Sequence, residues 1–492
     1  MLLELFEREA DALLSGLIRA RYLEASGRWP YLSLAPALER FPDVYSLDAY
    51  EQLLDADVDD RIGDGLRRMV LTLFAESAAA RHEQRLVAAE RSLTVEWGGQ
   101  VLPWRLAKQL ANVETERGPR HELDEAIRAA SGPLAHIRLD RVKATRAKIA
   151  EVEQYDHPHD DFGFWSAVGG VNVEEVSKLA EWVLKETKEL YLDALRDQLV
   201  HYRLDEGDSW EVDLEWLFRG EEYDRIFVAH RLMPTVTRVL WEMEIRLEDQ
   251  ANVRLDLDDL PDRITRSYCA PIGVPDEVVA MLAPRGGIYD YVALMETVGQ
   301  AERHAHADRT QSIVYRRLGD GAVVEGYGQL FSGLLGRPEW LALRLEAEAT
   351  RDAIRLRAFE RLYRLRRAAA LHLYEVEVRK AEEPDALEEE YVDRLAEALY
   401  VRPFREQFLD VTDDPFASAR HLRASLFGAQ LGNFLEQEID EEWYRSVRSG
   451  RFLIDRWREG QRYTAEELAR FLGFAGLDPT PLVAELRAAL VG

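Results

Sequence analysis

Apolar residues recur every three to four positions through residues 1–150, the period of amphipathic helices. Leu13, Leu14, Leu17, Ile18 and Tyr22 line one face, and Leu66, Met69, Val70, Leu73 and Phe74 line another. Residues 93–104 break the period. There Gly98-Gly99 sits between two short apolar runs, a turn signal that predicts a β-hairpin. Residues 104–149 read as helical again, with breaks expected at Gly118-Pro119 and Gly132-Pro133. Tyr155-Asp156-His157-Pro158-His159-Asp160-Asp161 is rich in metal-ligand types. Its proline and acids favour a solvated turn over a metal site. Long helices are predicted over 174–202 and 210–217.

The one region with a convincing strand pattern is 252–283. Val253 to Asp258 alternates apolar and charged residues as a half-buried strand does. Residues 267–270 and 278–282 are expected to pair nearby, punctuated by Pro271, Pro275 and Pro284. Arg285-Gly286-Gly287 then turns the chain into an apolar helix over about 288–308. A second helix follows over about 321–335, and everything beyond it is helical. The expected fold is therefore mainly α with one small sheet, in an N-terminal helical region, 1–160, and a larger helical stretch, 161–492.

Composition narrows the function classes. The 492 residues are 47% hydrophobic and 31% charged, as in a globular protein. A net charge of −28 argues against nucleic acid and anionic membranes as partners. No apolar run is long enough to span a bilayer. The opening Leu2-Leu3-Glu4-Leu5-Phe6-Glu7-Arg8-Glu9 reads as an acidic amphipathic helix rather than a signal or transit peptide. The single cysteine, Cys269, excludes an internal disulfide framework and reads as a small apolar core residue. A cytoplasmic location is expected.

Candidate chemistry gathers on Leu294-Met295-Glu296-Thr297-Val298-Gly299-Gln300-Ala301-Glu302-Arg303-His304. Glu296 and Gln300 stand four residues apart and project from one helix face. Zinc peptidases place His-Glu-x-x-His at this spacing, two imidazoles for the metal and a glutamate as base. The order of small sheet, Pro284-Arg285-Gly286-Gly287, Tyr289-Asp290-Tyr291 and apolar helix resembles the oligoendopeptidase F and thimet oligopeptidase family of zinc metallopeptidases. Gly299 and Ala301 fall on the Gly and Ala of that family's Leu-His-Glu-x-Gly-His-Ala-x-His helix. Glu325, in Ala322-Val323-Val324-Glu325-Gly326-Tyr327-Gly328, stands where the family's third ligand should. Asp414-Pro415-Phe416-Ala417-Ser418-Ala419-Arg420-His421 resembles the segment that brings substrate-facing residues into the cleft. The resemblance covers most of 160–492 and implies a two-lobed, gluzincin-like helical fold around a deep central cleft. It also implies zinc.

The departures from the family fall on the chemistry. Glu296 and Gln300 replace the zinc histidines, Thr297 replaces the catalytic glutamate, and Ala417 stands where many relatives have a tyrosine. Two carboxylates and an amide form a hard, oxygen-only set that suits magnesium, calcium or manganese better than zinc. Thr297 does not ionise near neutral pH and cannot serve as a general base. The expectation is that zinc is lost and no cofactor is held. The cleft then binds a peptide or protein segment, with Gly299, Arg303, His304, Tyr327 and His421 lining it. A peptide is expected to lie extended along the edge of the small sheet. Two other readings stay open. One is a divergent hydrolase with an oxygen-ligated metal at Glu296, Gln300 and Glu325. The other is an enzyme whose chemistry lies elsewhere, first at His304, His306 and Asp308.

Overall fold

The computed structural model describes the chain apart from residues 1, 156, 205, 259, 261, 262, 264–266, 346–350 and 492, with only the backbone described at 206. Numbering the elements used below, the order is α1 Leu3–Ala25, α2 Asp60–Ser92, β1 Thr94–Trp97, β2 Gln100–Pro103, α3 Arg117–Ile149, α4 Asp161–Gly169 and α5 Val173–Glu186. Then come β3 Val253–Asp256, β4 Tyr268–Gly273, β5 Glu277–Met281, α6 Ile288–Ala305, α7 Gly321–Ser332, α8 Arg351–Lys380, α9 Ala417–Phe434, α10 Val447–Arg458 and α11 Ala465–Phe471. Among the described residues no helix is long and apolar enough to cross a membrane.

The fold is mainly helical, with two small sheets instead of the one expected. The hairpin β1–β2 forms where Gly98-Gly99 predicts it, because both glycines take the left-handed conformations the turn needs, φ 58° and 78°. The second sheet has the order β3-β5-β4, with β3 parallel and β4 antiparallel to β5. Several residues of the 252–283 segment, like Asp156 of the ligand-rich loop, lie outside the described residues.

Two predicted boundaries move. Gly132-Pro133 does not break α3, which runs through Pro133 because Leu123, Ile127, Leu134 and Val142 bury one continuous face. Pro119 sits in the first turn of α3, where a missing N–H costs nothing. The helix predicted over 174–202 is two helices, and Thr187 is the joint. The Thr187 hydroxyl donates to Val183 O at 2.6 Å and accepts from the buried Arg366 guanidinium at 2.8 Å. The main core draws on helices along the whole chain, from Phe6 and Leu66 through Tyr327 to Leu490.

The sheet is pinned to α1 by charge rather than by exposed alternation. Asp256, expected to point outward, has no exposed side-chain surface. It accepts from the Tyr22 hydroxyl at 2.5 Å, Arg28 at 2.6 Å and Arg263 at 2.5 Å. The open edge of β4 is also occupied. Arg317 donates to the carbonyls of Pro271 and Ile272 at 2.6 and 2.9 Å, and is itself held by Asp11 and Ser15 of α1. The peptide expected along this edge would have to displace a buried arginine. Cys269, on β4, is free, and burial pushes its thiol up to about 12, in keeping with a packing role.

Burial alone would raise the pKa of Asp256. The hydrogen bonds from Arg28, Tyr22 and Arg263 outweigh it and hold the carboxyl well below the usual carboxylate range. A depressed carboxylate stabilises the fold above its unfolded pKa of about 4, and that stability is lost as pH falls toward the folded value. Asp256→Asn leaves the buried Arg263 without its counter-ion, while Arg28 keeps Asp258 at 2.6 Å, and is expected to cost about 3 kcal/mol at pH 7. Urea denaturation at pH 7 and pH 3 checks this. The gap between variant and wild type should narrow at pH 3, and a gap that stays constant would contradict the assignment.

Candidate functional site

Glycines set the geometry of the site by letting three helices meet backbone to backbone. A methyl group on Gly299 of α6 would lie 2.8 Å from Tyr327 O of α7, and one on Gly328 would lie 2.7 Å from Glu296 O. On the other side of α7, a methyl on Gly428 of α9 would lie 2.9 Å from Gly326 O. Such separations exclude any side chain larger than hydrogen. Glu296 lies level with Ser332, and Arg303 lies beside Tyr327, so α6 and α7 run antiparallel.

This arrangement brings Glu296, Gln300 and Glu325 to neighbouring helices, where each side chain has a contact of its own. The Glu296 carboxylate accepts from Ser332 Oγ at 2.9 Å, two turns along α7 from Glu325. The Gln300 amide lies over Gly328. Glu325 turns to α9, where Arg420 Nε donates to its Oε1 at 2.6 Å and His421 Nδ1 stands 3.6 Å from Oε2. Burial would raise the Glu325 pKa, but the neighbouring His421 ring and the Arg420 charge bring it down to about 2. Arg420 also binds Asp414 at 2.6 Å. Among the described residues no three His, Cys, Asp or Glu side chains converge as metal ligands would.

Thr297 is buried, and its hydroxyl donates to Ala293 O of its own helix at 2.6 Å, so it faces no substrate. Of the residues expected to line a cleft, only His421 is half-exposed. Gly299, Arg303, His304 and Tyr327 are enclosed between helices. The close glycine contacts bring α6 and α7 together, and the ring of Tyr327 is wedged edge-on between Phe427 and Trp457. Arg303 is 1% exposed, and its two terminal nitrogens have no hydrogen-bond partner among the described residues. Burial lowers its pKa to about 10. Burial, with the Arg303 and Arg317 charges, brings His304 down to about 3, so its ring is neutral.

Among the described residues His304, His306 and Asp308 make no side-chain hydrogen bond to one another. His306 Nδ1 stands 3.2 Å from Glu302 Oε2, and its ring leans on Trp457. Asp308 is exposed and accepts from Thr310 N at 2.9 Å. Sequence reasoning missed Arg420 as the partner of Glu325. The signal available was electrostatic: a half-buried glutamate on an apolar helix, without its metal, needs another cation.

The set of Glu296, Gln300 and Glu325 does not fit zinc, because it offers no imidazole and Glu325 already holds a guanidinium. The fold and site define a mainly helical protein in which the half-buried Glu325 carboxylate is compensated by Arg420. Comparison with protein-family models finds no match, and comparison with curated proteins finds none either.

Arg420 should therefore compete with a metal even after zinc ligands are introduced. Glu296→His, Thr297→Glu and Gln300→His together supply two imidazoles at i and i+4, the spacing that converges on one ion. Zinc measured by mass spectrometry after dialysis is expected to stay well below one equivalent in this triple variant. It should rise toward one equivalent when Arg420→Ala is added. Full uptake by the triple variant alone would show that Arg420 does not block the site.

Proposed function

We propose that the chain is a metallopeptidase-like protein that no longer hydrolyses peptide bonds and uses its cleft to hold a peptide or protein segment. In this reading it is a two-lobed zincin-like body, with residues 1–160 facing the larger stretch 161–492, working in the cytoplasm. The observation that carries it is the Arg420–Glu325 pair, 2.6 Å between nitrogen and oxygen, which satisfies the one retained ligand without a metal. Family-type hydrolysis needs a metal-activated water and a base to take its proton. The buried hydroxyl of Thr297 offers no base, and general-base assistance alone is worth roughly 10²–10⁴ in rate. The oxygen-ligated metal reading is disfavoured by the same pair and by the Ser332 contact that holds Glu296.

Incubation with a mixed peptide library, with zinc, manganese or calcium added in turn, tests the proposal. Mass spectrometry should find no cleavage above the buffer control, while peptides raise the melting temperature. Metal-dependent cleavage that disappears in Glu325→Ala would overturn it.

A further inference from the structure

A cavity of about 420 Å³ opens between α2, the α4–α5 turn, the loop before α7 and the loop before α11. Its size falls within the usual range of ligand sites. One stripe of α2 forms its long wall, from Arg61 through Arg68 and Thr72 to Glu76. At 1.5 Å per residue this stripe is about 22 Å long, so the cavity is a groove. Asp320, the N-cap of α7, lies on its opposite wall.

The two ends differ in charge and in what they lack. Glu76 is half-buried and makes no hydrogen bond or ion pair among the described residues. The charges around it are committed elsewhere. Arg21 is bound to Glu83 at 2.9 Å, Arg141 to Asp413 at 2.7 Å, and Asp414 to Arg420 at 2.6 Å. Burial pushes the Glu76 pKa up, which marks a carboxylate that a cation would stabilise. At the other end Arg61 donates to Arg462 O at 2.7 Å and to Glu467 at 2.9 Å. The exposed Arg462 guanidinium lies 4.6 Å from the centre of the Tyr315 ring and has no acidic partner among the described residues. Among the described residues the groove thus has an unpaired carboxylate at one end and, at the other, a guanidinium stacked on Tyr315 with no acidic partner.

An extended peptide advances about 3.3 Å per residue, so about 22 Å accommodates roughly six residues. Its free termini carry the opposite charges in the matching order. We propose that this groove binds an unblocked oligopeptide of about six residues, with its N-terminal ammonium on Glu76 and its C-terminal carboxylate on Arg462. This deepens the reading of the protein as a peptide holder and rests on it. The polarity also sets the peptide's N-terminus on the side of Asp414, Arg420 and Glu325, the side of the altered ligand site.

Calorimetric titration of the full chain with mixed-sequence hexapeptides, prepared unblocked, N-acetylated or C-amidated, tests the assignment. Losing a charge-assisted contact at either terminus should weaken binding about tenfold or more. In Glu76→Gln the acetylated and unblocked pools should bind alike, while amidation still weakens binding. In Arg462→Gln the pattern should reverse. Melting curves establish that each variant is folded. Should Glu76→Gln not fold, the exposed Arg462→Gln with the amidated pool decides the matter alone. Equal binding of all three pools to the wild type would overturn the groove assignment while leaving peptide binding intact. No binding of any pool would overturn both.

Discussion

The site depends on one packing constraint, the backbone contact of α6, α7 and α9 through Gly299, Gly328, Gly326 and Gly428. With no side chains between them, the helices approach closely enough for a side chain on one to meet functional groups on the next. That contact seats Glu296 on Ser332 and lets Arg420 reach Glu325. It also encloses Tyr327, Arg303 and His304, which removes them from any solvent-facing role. A larger residue at these glycines would force the helices apart, and cores resist such overpacking at a cost of about 1–3 kcal/mol.

Within that frame, electrostatic compensation decides the chemistry. A half-buried glutamate carries a desolvation cost that a metal, a guanidinium or a proton can offset. Here Arg420 does so, and Asp414 in turn holds Arg420 in place. The same accounting separates Glu76 from the other acids. The acids near it, Glu83, Asp413 and Asp414, each have their own arginine, and Glu76 has none among the described residues. That contrast is what makes its groove a binding site on the proposed reading.

Much of the fold was legible because its signals are local. The helical period, the Gly98-Gly99 turn and the strand pattern near Val253 each depend on a few neighbouring residues, and each appears in the structure. The pattern erred where long-range contacts override local ones. Pro133 is carried within α3 by apolar residues on both sides of it, and Thr187 ends a helix by meeting Arg366, 179 residues away. Asp256 reads as an outward-facing strand residue, but Tyr22, Arg28 and Arg263 bury it. The candidate site was half legible. Glu296, Gln300 and Glu325 do occupy adjoining helices, but their actual partners, Ser332 and Arg420, lie 36 and 95 residues away and leave no periodic trace. Glu76 gave no signal, since being unpaired is a property of the folded surroundings alone.

The most direct test of the account is the metal content of the wild-type protein, purified without chelators or a metal-affinity tag and measured by mass spectrometry. With Arg420 serving as the cation for Glu325, zinc, manganese and calcium should each be far below one equivalent per chain. Stoichiometric metal that disappears on Glu325→Ala would contradict the account and return the site to metal-dependent chemistry.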